Sequence, residues 1–103
     1  MDFKSKLGRA STENNSLLCV GLDPDLPKLP THLQKETDSC FLFCKAIVDA
    51  TADQVCAFKP NSAFFEGAGI AGMEQLQKLC NYLRSEYPTI PIILDSKRAD
   101  IGN

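Results

Sequence analysis

Three short apolar runs, each closed by a charged side chain, punctuate the sequence. Leu17-Leu18-Cys19-Val20-Gly21-Leu22 ends at Asp23, Val55-Cys56-Ala57-Phe58 at Lys59, and Ile92-Ile93-Leu94 at Asp95. The first has no polar alternation, the pattern of a parallel strand buried on both faces. Between the runs, apolar residues recur at helical spacing. Phe41, Cys44, Ile47 and Val48 predict a helix over about 34–53, with Thr37 or Asp38 as its cap. Met73, Leu76, Leu79, Cys80 and Leu83 form the predicted buried stripe of a second helix over 70–86. Pro24, Pro27 and Pro30 exclude regular structure until about Thr31, and Pro88 and Pro91 bracket a turn. Residues 1–16 read as a brief amphipathic helix (Phe3, Leu7) followed by a polar loop. The order is β-α-β-α-β, which predicts an α/β fold with a parallel sheet and right-handed crossovers.

Asp23, Lys59 and Asp95 fall at the ends of successive predicted strands, 36 and again 36 residues apart. A βα unit of that length, repeated eight times, makes a (β/α)8 TIM barrel of ordinary size, with its active site at the C-terminal ends of the strands. An open doubly wound sheet places sites at the same ends, so spacing alone leaves both architectures open. Three strands and two crossover helices are too few to close a barrel and would leave two strand edges exposed. Residues 1–103 are therefore expected to be the N-terminal part of a single, larger barrel domain.

Composition narrows the function more than the fold. Eleven basic against thirteen acidic residues give a net charge of -2, without the basic surplus of a nucleic-acid binder. No apolar run approaches the ~20 residues that span a bilayer, and the polar start, Met1-Asp2-Phe3-Lys4, is no signal peptide. Five cysteines, an odd number, contain no CxxC, and Cys40 and Cys44 have neither a second pair nor a nearby histidine. They read as reduced, buried thiols of a cytoplasmic protein rather than a zinc cage.

The densest chemistry lies in Asp95-Ser96-Lys97-Arg98-Ala99-Asp100. Asp95 and Lys97, two apart in an extended segment, point to the same side, and Asp100 follows in the loop. Two carboxylates flanking an ammonium hold it protonated within a strong negative field. A solvated turn with a surface ion pair accounts for the charges equally well, but the apolar Ile92-Ile93-Leu94 ties the turn to the end of a core strand.

Asp95-Ser96-Lys97-Arg98-Ala99-Asp100-Ile101-Gly102-Asn103 resembles the D-x-K-x-x-D-I-G signature of the orotidine 5'-phosphate decarboxylase family. Leu18-Cys19-Val20-Gly21-Leu22-Asp23-Pro24-Asp25 is similar to that family's first strand and Phe58-Lys59-Pro60-Asn61-Ser62-Ala63-Phe64-Phe65-Glu66 to its second, closest to the longer bacterial subgroup. The resemblance implies a cofactor-free and metal-free carboxy-lyase of pyrimidine synthesis acting on orotidine 5'-monophosphate. It implies that Lys97 protonates C6, Asp95 lies against the substrate carboxylate, and Lys59 holds Asp95 and contacts the ribose. Asp23 would bind a ribose hydroxyl, Ile101 would line the substrate, and Asp100 would reach the neighbouring site of a homodimer. The chain alone, without the later phosphate-binding loops, is expected to be inactive.

Three other readings compete. Magnesium-dependent sugar-phosphate decarboxylases and aldolases of the same superfamily share a D-x-K-x-x-D core, but typically lack Ile101-Gly102-Asn103 and the Phe58-Lys59-Pro60-Asn61 block. Gly67-Ala68-Gly69-Ile70-Ala71-Gly72 is a formal G-x-G-x-x-G, as in an NAD-binding oxidoreductase. Ser62 to Glu66 separate it from the strand, however, whereas the fingerprint needs a turn at the strand end, so a loop and helix start fits better. The third is a non-catalytic remnant. His32, the single histidine, falls in the proline-rich loop as a surface residue, and Lys45, Asp49 and Lys78 read as helix-surface charges. Phe64-Phe65 reads as packing between loop and helix rather than a pocket wall, and Arg98 as either an interface charge or a solvated one.

Overall fold

Two of the apolar runs become strands, and the third a pair of isolated bridges, in a computed structural model, which describes residues 2–95. The chain folds as helix α1 (Phe3–Glu13), strand β1 (Cys19–Leu22), a 3-10 turn (Leu26–Lys28) and helices α2 (Thr31–Gln34) and α3 (Ser39–Thr51). A second 3-10 turn (Ala52–Gln54), strand β2 (Ala57–Pro60) and helices α4 (Ser62–Glu66) and α5 (Gly69–Glu86) follow. The result is α/β with a partial parallel sheet. β1 and β2 pair in parallel, with Gly21 opposite Lys59 and Leu22 opposite Pro60.

The third run also pairs in parallel, along the other edge of β2. It does so as two bridges, Phe58 with Ile92 and Asn61 with Asp95, rather than a continuous ladder. The Phe58 and Asp95 N–H groups donate to the Pro91 and Pro60 carbonyls at 3.1 and 2.9 Å, and the Ile93 N–H donates to the Phe58 carbonyl at 2.8 Å.

The core lies between this sheet and the helices. Leu22 and Phe58 point into it from the strands, Cys44 and Val48 from α3, and Leu79 and Leu83 from α5. All are essentially inaccessible to water. The expectation that the first strand is buried on both faces fails: Cys19 and Gly21 are exposed, and Leu17, just before the strand, is 90% exposed. An apolar run requires cover, but among the described residues the helices cover one face only.

The predicted helix over 34–53 divides into α2 and α3. Residues 35–38 (Lys, Glu, Thr, Asp) offer nothing apolar to bury, so the chain turns there. Asp38 occupies the N-cap position of α3, yet its side chain makes no capping bond. Its carboxylate instead accepts from Lys78 Nζ of α5 at 2.6 Å. The buried Gln75 of α5 satisfies a first-turn amide of α3, its Oε1 accepting from the Phe41 N–H at 3.0 Å. The α5 stripe consists of Gly72, Leu76, Leu79 and Leu83, with Cys80 half-buried. Met73, predicted to be buried, is exposed because it lies about a quarter turn off that stripe.

The glycine run is a helix junction. Gly67 ends α4, and Gly69 opens α5 with φ +71°, a conformation glycine adopts without strain. Gly72 lets α5 cross against α4: a Cβ there would sit 1.8 Å from the Phe65 carbonyl oxygen. With a whole helix between β2 and the glycines, no tight strand-to-helix turn exists for a pyrophosphate.

Candidate active site

The sheet register decides which predicted site residues meet. Asn61 follows Pro60, the partner of Leu22, and so lies level with Asp23; on its other side Asn61 bridges to Asp95. Asp23, Asn61 and Asp95 thus form a row across the C-terminal ends of three adjacent parallel segments. At ~4.8 Å per strand, the backbones of the two acids are roughly 10 Å apart. Lys59 lies one pleat below, opposite Gly21 and on the same face. The climb from its level to the row is ~6.6 Å, within reach of its four-carbon stem.

This face is the uncovered one. Gly21, Asp23 and Lys59 are exposed and Asp95 half-buried, whereas Leu22 and Pro60, pointing the other way, are buried. Main-chain bonds fix the row. The Asn61 N–H donates to the Leu22 carbonyl at 3.2 Å and the Ser62 N–H to the Asp95 carbonyl at 3.0 Å. The Asn61 side chain accepts from the Ala63 N–H at 3.1 Å and so starts α4 directly above the strand end. Beside the row, Pro24, Leu26, Cys40, Ala63 and Phe64 line a groove of about 340 Å³. Phe65 packs into the core and Phe64 stays partly exposed at the groove, so the two neighbours divide the roles of packing and wall.

The charges at this end reach the neighbouring thiols. Partial desolvation, even on this exposed residue, raises the Cys19 thiol above its ordinary range, and the Lys59 ammonium pulls it partly back. Burial pushes Cys44 up to about 12, with Cys40 and the Asp23 carboxylate adding to the rise. All five cysteines are free; three are buried, Cys80 is intermediate and Cys19 is exposed, against the expectation of uniformly buried thiols. His32 is exposed, as predicted, but on helix α2 rather than in a loop. Lys97, Asp100 and Ile101, with Arg98, lie outside the described residues. Among the described residues no three His, Cys, Asp or Glu side chains converge to hold a metal ion, and no helix is long and apolar enough to cross a membrane.

Residues 16–103 match the family model described as "Orotidine 5'-phosphate decarboxylase / HUMPS family". The chain belongs to that family.

Relatives agree across almost its whole length. It is 51% identical over 102 residues to an orotidine 5'-phosphate decarboxylase of Janthinobacterium sp. (strain Marseille), covering 99% of this chain and 37% of the relative. To the protein of the same name from Ralstonia nicotianae it is 53% identical over 103 residues, covering 100% of this chain and again 37% of the relative. The solved Leishmania donovani OMP decarboxylase superposes with a TM-score of 0.73 at 32% identity, covering 95% of this chain and 34% of that one. The chain thus spans a little over a third of the length of these curated family members. Two residues that sequence reasoning did not single out stand in the site: Asn61, seen before only as part of a motif block, and Gly21. The signal for Asn61 was present, since an Asn before Ser-Ala-Phe-Phe is a helix N-cap.

Proposed function

We propose that this chain supplies the first three strands and two crossover helices of a (β/α)8 barrel domain that decarboxylates orotidine 5'-monophosphate to uridine 5'-monophosphate. The observation that carries the reading is the shared face of Asp23, Lys59 and Asp95 at the strand C-termini, the end where barrels keep their active sites.

In this reading the bond between C6 and the carboxylate carbon breaks, carbon dioxide leaves and the electron pair stays on C6. Lys97, two residues beyond Asp95, places its ammonium by that carbon, stabilises the developing charge and donates the proton that ends the reaction. Asp95 faces the departing carboxylate. That like-charge contact costs about 4 kcal/mol at 4 Å and an effective dielectric of 20. Binding energy from remote groups of the substrate offsets it, the phosphate above all. Lys59 holds Asp95 and meets the ribose, Asp23 takes a ribose hydroxyl, and Ile101 lines the pyrimidine. Asp100 enters the neighbouring site, which makes the enzyme a homodimer with shared sites, working in the cytoplasm. The decarboxylase names of the relatives at about half identity favour this branch over the magnesium-dependent one.

A chimaera tests the proposal: residues 1–103 replace the matching segment of the Janthinobacterium relative. Loss of orotidine monophosphate absorbance should report turnover that survives a chelator and falls by roughly 10³-fold in Lys97→Ala. Loss of activity on chelation would point instead to the magnesium branch, and a chimaera that neither binds the nucleotide nor turns it over would sink the reading. The isolated 103-residue chain should show no turnover above its own Lys97→Ala control.

A further inference from the structure

Gly21 lies within β1 opposite Lys59, and the backbone does not require a glycine there. Among the described residues the glycine with positive φ is Gly69, not Gly21. The three atoms nearest a Cβ built on Gly21 all belong to the Asp23 carboxyl group: Oδ2 at 3.3 Å, Cγ at 3.8 Å and Oδ1 at 3.9 Å. Glycine weakens a strand interior and commonly marks a place where a ligand approaches closely. Here the missing side chain leaves open the surface between an exposed carboxylate and an exposed ammonium. Such a pair suits a polyol, whose hydroxyls donate to the carboxylate and accept from the ammonium.

We propose that Gly21 is a positioning residue: without a side chain, it lets the Asp23 carboxylate lie back along β1 and leaves room beside Lys59 for the sugar of the nucleotide. The identity of the ligand rests on the function proposed above; the carboxylate position and the open space do not. A methyl group at 21 would move the carboxylate by a few tenths of an ångström. A branched side chain would move it further and fill the gap. Either change acts on binding of the sugar, away from the carbon that reacts.

The test compares G21V and G21A with the unmutated chimaera. It reads kcat and KM for orotidine monophosphate, calorimetric affinity for uridine monophosphate, and thermal midpoint. G21V should raise KM and weaken the nucleotide by about tenfold or more, with kcat changed less than about threefold and the midpoint unchanged or higher. G21A should show a smaller loss of the same kind. Unchanged KM and affinity in G21V, or losses that track a falling midpoint in both variants, would overturn the role of Gly21 while leaving the decarboxylase reading intact. A chimaera that binds the nucleotide without turning over still tests Gly21 through its affinity. Failure of the unmutated chimaera both to bind and to turn over overturns the functional reading, and the sugar assignment with it.

Discussion

Phe58 and Lys59 are neighbours in β2 that face opposite worlds. Phe58 is fully enclosed among Leu22, the aliphatic stripe of α5 and the core face of α3, while Lys59 stands in the open beside Gly21. The period-two pleat separates them at the C-terminal end of the strand, where one face packs and the other is open; lower on the open face Ala57 is buried too. The same division runs through β1, where Leu22 is buried and Asp23 and Gly21 are exposed. At the ends of these two strands packing and exposed charge therefore alternate residue by residue, and single substitutions should separate them.

The largest effect should come from breaking the packed face. Phe58→Ala removes an aromatic ring from a dry core and should cost about 3–5 kcal/mol in urea unfolding of the chimaera. Lys59→Ala, one residue on, should change stability by no more than ~0.5 kcal/mol while turnover falls by roughly 10²-fold or more. Equal losses of stability in both variants would erase the distinction between the faces.

The covering layer depends on two close approaches. In a helix Gly→Ala ordinarily gains about 1 kcal/mol. At Gly72 the sign should reverse, because the new methyl group meets the Phe65 carbonyl at 1.8 Å and the Ala68 Cβ at 2.8 Å, and main chain must move. A loss of about 1–3 kcal/mol is expected. Gln75→Leu should cost about 1–2 kcal/mol, since it removes the acceptor of the buried Phe41 N–H. Faster hydrogen exchange at Phe41 would check that cause, and unchanged protection there would refute it.

These contacts mark what the sequence reveals and what it hides. Leu79 and Leu83 were legible because a 3.6-residue period in apolar residues is a direct image of a buried face. Asp23, Lys59 and Asp95 were legible because a charge that ends an apolar run must emerge at a strand terminus. Met73 misled because a stripe read from spacing has no zero of angle, which the contacts of α5 with α4 at Gly72 and with α3 at Gln75 set. The missing cap of α3 was hidden because its acceptor, Gln75, comes from a residue 34 positions away in sequence. Cys19 looked buried because an apolar run does not say which of its faces the rest of the fold will cover.

The smallest effect belongs to the outer surface of the covering layer, where one carboxylate joins α3 to the end of α5. Asp49 Oδ1 accepts from Tyr82 Oη at 2.5 Å and Tyr87 Oη at 2.8 Å, and Oδ2 accepts from Lys45 Nζ at 2.9 Å. The Tyr82 hydrogen bond, ahead of the other donors, holds the Asp49 carboxyl below its ordinary range. The same bonds push both phenols up to about 12. A depressed acid stabilises the fold above its ordinary pKa, and that contribution fades as pH falls through the depressed value. A raised phenol does the reverse: its share is complete below its ordinary pKa of ~10 and is lost as pH climbs from there through 12. Solvent screens the cluster, since the Asp49 side chain is 36% exposed, so Asp49→Asn should cost under about 1 kcal/mol near neutral pH. The titration should respond far more than the stability. The chain's two tyrosines are these two and it has no tryptophan, so phenolate absorbance of the 103-residue chain reports this cluster alone. Asp49→Asn should bring its midpoint down toward ~10, and a parent chain already titrating there would show that the carboxylate does not join the two helices.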